Sequence, residues 1–156
     1  MKICVNTHNM TFKDFASPEQ CLCFNFRRAS RVITRSFDEA LASAGMTTAQ
    51  FSSLYVLKSN GPMTVSKFAK AMETERTTLT RNLTLLEKEG LVSRATGEDR
   101  RQKVVAITAK GIRKLQAALP AWKAAQKRAV DRLGDRTMRA MLENTALIER
   151  KMTGPE

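Results

Sequence analysis

Two groups of residues have types and spacings that could do chemistry. Thr77, Thr78, Thr80 and Arg81 crowd into one short stretch. Threonine can bond a phosphate or lay its methyl against thymine, and an extended arginine can fork onto guanine. Cys4, Cys21 and Cys23, together with His8, gather soft and oxidisable atoms near the N-terminus. The spacing C-x3-H-x12-C-x-C matches no common zinc pattern, and an odd, clustered count does not make a disulfide framework. Reduced, partly buried thiols are the plain alternative. A single histidine and the lack of a phosphate loop leave little for acid–base or phosphoryl chemistry. A thiol enzyme built on Cys23 would need a resolving thiol and polar donors. On one helix Cys21 would lie about 200° away and face elsewhere.

Charge narrows the choice. Lys and Arg number 27 against 15 Asp and Glu, a formal net charge of +12. A small chain this basic points to a polyanion, nucleic acid before an anionic membrane. At 156 residues, 42% of them hydrophobic, the chain suits one compact domain, with or without an oligomerisation element. No apolar run approaches the roughly 18 residues of a membrane span, and no basic region precedes a long apolar core as in a secretory signal. The expectation is a soluble, cytoplasmic protein without a membrane partner, an N-terminal tail over 1–18 and a single domain over 19–156.

Helical and strand periods place the candidate residues. Ser17-Pro18 reads as a helix start, followed by Leu22, Phe26, Ala29, Ile33, Phe37, Ala40 and Leu41 at steps of three and four. Arg27, Arg28, Arg31 and Arg35 fall on its other faces, as a solvated or dimer-facing stripe. Gly45 ends that helix, and Thr47 or Thr48 caps the next, which breaks at Ser59-Asn60-Gly61-Pro62. Thr64 caps a short helix, Glu73-Thr74 forms a tight turn, and Thr74 caps a second helix ending before Gly90. There Leu79, Leu83 and Leu86 share one face, with Thr77, Arg81 and Thr84 roughly opposite. Two helices joined so tightly read as a helix-turn-helix. Leu91–Thr96 and Lys103–Ile107 are β-rich segments around a charged tip, a hairpin directly behind the second helix. The order gives a winged helix-turn-helix, mainly α with a small β wing and about six helices.

Thr108 then caps a long helix in which Pro120 should produce a kink or a new start. After Gly134-Asp135, a last helix carries Met138, Met141, Leu142, Ile148 and Met152. The first and last helices hold more apolar surface than a small winged core can cover, so a homodimer is expected.

The stretch from Met46-Thr47-Thr48-Ala49-Gln50-Phe51 through Leu86-Glu87-Lys88-Glu89-Gly90-Leu91-Val92, then Asp99-Arg100-Arg101 and Ile107-Thr108-Ala109-Lys110-Gly111, resembles the MarR family of transcriptional regulators. The resemblance runs over about residues 20–152. It implies homodimers of six helices and a wing, with interlocked N- and C-terminal helices over 19–45 and 111–152 and a DNA-binding lobe over 47–110. It further implies that Thr77, Thr78, Thr80 and Arg81 meet bases and phosphates in the major groove, and that Arg101, steadied by Asp99, enters the minor groove. A wing arginine suits the negative potential of a narrow minor groove. An effector in the crevice between dimer helices and winged lobe would change the spacing of the recognition helices. Gln20-Cys21-Leu22-Cys23-Phe24 resembles the Q-L-C-F start of the organic-hydroperoxide-sensing branch, with Cys23 on the sensor position and Cys21 beside it. Where that branch carries tyrosines, this chain has Arg27, Phe37 and Thr48.

The sequence therefore points to a DNA-binding regulator rather than an enzyme, a repressor on a pseudo-palindromic operator, released by a small phenolic ligand or a thiol-reactive oxidant. No cofactor is expected. An architectural DNA binder without operator preference is the alternative, and the thiol enzyme stands behind it.

Overall fold

The computed structural model describes residue 15 and residues 17–97 and 102–153. The chain divides into two compact units, one ending at Ser36 and the other running from Phe37.

In the first unit, the expected helix start at Ser17-Pro18 is a single 3-10 turn, Pro18–Gln20, with Pro18 in its first position. Ser17 does not cap it; its hydroxyl donates to Gln20 Oε1 at 3.1 Å. Cys21 then leaves helical geometry at ψ 117°, and helix α1 (Leu22–Leu41) begins behind it. The Asn25 amide closes the junction by donating to the carbonyls of Glu19 and Cys21 at 2.8 and 3.0 Å. From Leu22 to Ser36 the helix is exposed almost throughout, with Leu22 56% and Ile33 44% accessible. The apolar stripe read from the sequence is present here, but within this unit nothing covers it.

The second unit takes up the end of α1, where Phe37 and Leu41 are buried. A 3-10 turn, Ala42–Ala44, ends at Gly45, which adopts the left-handed φ of 58° that glycine tolerates without a Cβ clash. Thr47 caps helix α2 (Thr48–Asn60) in a capping box with Gln50, while Asp38 Oδ1 accepts from the Thr48 N–H at 2.6 Å. Strand β1 (Met63–Thr64) leads into helix α3 (Val65–Ala71), whose Lys67 N–H is capped by Thr64 at 3.2 Å. The tight turn falls where expected, with Glu73 at φ 43°. Helix α4 (Arg76–Lys88) follows, and here the expected cap is corrected. The N-cap is the extended Glu75, without a side-chain bond; Thr74 stands one residue too early and belongs to the turn, its N–H donating to the Ala69 carbonyl at 3.1 Å.

Strands β2 (Val92–Thr96) and β3 (Lys103–Ile107) form the expected hairpin, pairing Val92 with Ile107 and Thr96 with Lys103. The sheet has a third member: β1 lies antiparallel along the other edge of β3, giving the order β1-β3-β2. Two residues are too few to show a period of two, which is why β1 was invisible in the sequence.

Thr108 caps helix α5 (Ala109–Leu133), accepting from the Gly111 N–H at 3.0 Å. The helix runs unbroken through Pro120, so no new helix starts there. The carbonyl one turn back that loses its donor belongs to Gln116, and both residues are exposed, so water can replace the bond. Helix α6 (Asp135–Thr153) follows Gly134 and buries none of its residues. Among the described residues no helix is long and apolar enough to cross a membrane.

The core gathers Leu41, Phe51, Leu54 and Leu57 with Phe68, the inner leucines of α4 and Val105, Leu115 and Ala118. Phe51 stacks on Trp122 with centroids 5.7 Å apart. Each fully buried Leu or Phe contributes about 1.5–3 kcal/mol relative to exposure, so the sheet and α2, α3 and α5 form a firm socket for α4.

Candidate nucleic-acid interface

Helix α4 is amphipathic in the expected sense. Leu79, Leu83 and Leu86 are buried, while Thr77, Thr78, Thr80 and Arg81 are all exposed. The four proposed readers thus come together over about one turn, but their side chains are not equivalent. The Thr80 hydroxyl donates to the Arg76 carbonyl at 2.7 Å, whereas Thr77, Thr78 and Arg81 form no side-chain hydrogen bond or ion pair among the described residues. The N-cap Glu75 leaves the first backbone N–H groups without a side-chain acceptor, and such groups carry partial positive charge. This end of α4 offers free hydroxyls, free N–H donors and an unpaired guanidinium, the donor chemistry that phosphates and base edges require.

Three ties fix the pose of α4. At its far end, the Lys110 ammonium donates to the Glu89 carbonyl at 2.7 Å, and the Thr108 hydroxyl to the Gly90 carbonyl at 2.7 Å. Gly111 lets the two segments meet, since a Cβ there would stand 2.1 Å from the Leu91 carbonyl oxygen. From α2, the Gln50 amide donates to Glu89 Oε1 at 3.4 Å. From β2, Arg94 forms an ion pair with Glu87, with Nε donating to Oε2 at 2.8 Å, and its Nη2 also donates to Thr84 Oγ1 at 3.1 Å. Sequence reasoning missed Arg94 and Glu87. Their separation of seven residues across the Gly90 corner has no periodic signature, although an acid near the end of α4 and a base early in the next strand were both visible.

The wing residues Asp99 and Arg101 lie outside the described residues. The described part of the hairpin closes with the Gly97 N–H on the Gln102 carbonyl at 2.9 Å, and the Lys103 ammonium donates to Thr96 Oγ1 at 2.9 Å.

Cys21 and Cys23 are free and exposed, which corrects the alternative of partly buried thiols for these two. Nor do the two cysteines share one helix, as the sequence suggested: Cys21 precedes α1 in an extended turn and Cys23 belongs to its first turn. Nearby, the Arg28 guanidinium lies over the Phe24 ring, 5.5 Å from its centroid. Cys4 and His8 fall outside the described residues, and among the described residues no His, Cys, Asp or Glu cluster could hold a metal ion.

Residues 46–103, the helix-turn-helix and the hairpin, match the model of the MarR family. A Bacillus subtilis HTH-type transcriptional regulator, YwoH, is 34% identical over 95 residues, 61% of this chain and 69% of that protein. The chain belongs to the MarR family. The organic hydroperoxide resistance transcriptional regulator of B. subtilis is 29% identical over 99 residues, 63% of this chain and 67% of its own. Among solved structures, the M. tuberculosis regulator MosR in complex with DNA superposes with a TM-score of 0.74 at 36% identity, covering 85% of this chain and 98% of that one. The transcriptional repressor CouR bound to a 23-mer DNA duplex gives 0.76 at 26% identity, with 91% and 99% covered, and CouR has also been solved with p-coumaroyl-CoA. As a MarR-family member the chain is a winged helix-turn-helix transcriptional regulator, and the structure carries that family's six helices and small sheet.

Proposed function

We propose that the chain works in the cytoplasm as a homodimeric, non-enzymatic repressor, laying α4 of each protomer into the major groove of a pseudo-palindromic operator. Thr77, Thr78, Thr80 and Arg81 face the groove, and Asp99 and Arg101 serve the wing. The observation that carries this reading is the outer face of α4, where exposed hydroxyls and an unpaired guanidinium stand over a sealed leucine face, in a chain of net charge +12. MosR and CouR, solved on DNA, support it. A second copy supplies cover for the apolar residues that α1 and α6 each leave exposed, and two reading heads require half-sites about one helical turn apart.

Release is by a thiol-reactive oxidant or a small phenolic ligand. The exposed thiol of Cys23 supports the first and the CouR complex with p-coumaroyl-CoA the second. In the thiol route a hydroperoxide oxidises Cys23 to the sulfenic acid and leaves as the alcohol. A second thiol (Cys21, Cys4 or one from the partner protomer) then condenses with it, losing water and forming a disulfide.

Gel-shift titration of the chain's own upstream DNA, across a salt series with nonspecific competitor, tests the reading. Preference for the upstream duplex that persists under competition is expected. Equal affinity for all duplexes would replace it with architectural binding. Repeating the titration after mild hydroperoxide or a phenolic acid, with Cys23→Ser alongside, separates the two release routes.

A further inference from the structure

The hydroxyls on the outer face of α4 divide into two kinds, and the division points to a specificity residue outside the predicted set. Thr84 is exposed, one turn beyond Arg81 on the same side of the helix. Its hydroxyl is held on both sides: its one proton goes to the Thr80 carbonyl at 2.9 Å, and it accepts from Arg94 Nη2 at 3.1 Å, so it has no donor left. Arg94 is in turn fixed by its ion pair with Glu87, and its side chain is only 22% exposed. With the hydroxyl held from two directions, rotation about the Thr84 Cα–Cβ bond is blocked. For a phosphate or a base acceptor the hydroxyl has nothing to give, and the outward group left is the methyl. A hydroxyl free to turn could satisfy an acceptor on any base edge, whereas a locked methyl makes a favourable contact only with an apolar group. In the major groove the apolar group is the C5-methyl of thymine.

We propose that Thr84 reads a thymine in each half-site through its methyl group, and that Arg94 is the positioning residue that locks it. This rests on the assignment of α4 to the major groove. It also gives the Glu87–Arg94 pair a purpose besides tethering: the arginine neutralises the only acid within Arg76–Lys88 while orienting its neighbour. Arg94 thus acts on the DNA through Thr84.

The test uses the duplex that wild-type protein enriches from a randomised pool, with each thymine replaced singly by deoxyuridine, which removes only the methyl. At one thymine per half-site, wild type should bind the uracil duplex about fourfold more weakly, the worth of burying one methyl group. Thr84→Ser keeps the hydroxyl and loses the methyl in both protomers, so it should bind both duplexes equally, about sixteenfold more weakly than wild type binds the thymine duplex. Thr84→Val loses the hydroxyl and keeps the methyl, so it should stay within about twofold of wild type and still discriminate. Arg94→Ala, with a cooperative melt showing that it folds, should lose the discrimination while still binding. If Arg94→Ala does not fold, the serine and valine variants decide. Discrimination retained by serine, lost by valine, or absent in wild type overturns the role of Thr84. Discrimination retained by a folded Arg94→Ala overturns the role of Arg94. A pool that yields no enriched sequence overturns the major-groove assignment itself and this proposal with it.

Discussion

Helices α4 and α6 both leave surface open, α4 on one face and α6 all round, but the open surfaces are opposite in chemistry. On α4 the apolar residues are sealed against the core and polar groups stand free. On α6 no residue is buried, and Leu142 and Met152 remain 62% and 76% exposed. Unsatisfied donors on a socketed helix call for a hydrogen-bonding polyanion. Unburied leucine and methionine on an unsocketed helix call for apolar cover. The difference separates a surface that recognises from a surface that assembles, and each can be broken without the other.

The largest effect should come from the hidden side of α4. Leu83→Ala removes a fully buried side chain and should cost about 2–5 kcal/mol of stability. Thermal or denaturant melting checks this, and DNA binding should fall only as the folded fraction falls. A normal melt would mean that the leucine face does not socket the helix. On the assembling side, Leu142→Asp should convert a dimer of twice 17.4 kDa into monomers at micromolar concentration, as measured by sedimentation. A wild-type monomer that is well folded at that concentration would overturn the reading of α6. On the recognising side, Arg81→Ala should weaken operator binding by about 1–3 kcal/mol without moving the melt or the mass. Arg101→Ala should cost a similar amount, through the wing. If neither changes affinity, the recognition surface lies elsewhere.

What could be read in the sequence was what neighbours decide. Thr47, Thr64 and Thr108 cap their helices because the N–H groups they bond lie three residues on. The inner leucines of α4 and the paired strands follow periods of 3.6 and 2. What could not be read depends on distant partners. Thr74 is held in the turn by its N–H on Ala69, one residue short of the cap, and β1 exists only because β3 offers an edge. Pro120 is tolerated because its helix face is wet. At the candidate site the residue types were legible, but the state of each hydroxyl was not. Four threonines look alike in the sequence, yet Thr80 and Thr84 are tied to their own helix while Thr77 and Thr78 are free.

That difference yields the smallest effect and the finest test of the comparison. A threonine hydroxyl has one proton, and in Thr80 it is committed to the Arg76 carbonyl at 2.7 Å, a bond that lies within the helix and forms without DNA. Thr80 can therefore approach a phosphate only as an acceptor, which a phosphate cannot use. Thr78 has no such commitment, and its hydroxyl can donate. Thr78→Ala should cost about 0.5–1.5 kcal/mol of operator affinity, the net worth of one hydrogen bond. Thr80→Ala should cost less than about 0.5 kcal/mol, since alanine's higher helix propensity offsets part of the lost back-bond. Paired titrations at one salt concentration resolve a difference of that size. Should Thr80→Ala prove as costly as Thr78→Ala while Thr80→Ser, which loses only the methyl, binds like wild type, the hydroxyl must release the Arg76 carbonyl on binding. The recognition face would then be rebuilt by DNA rather than presented to it.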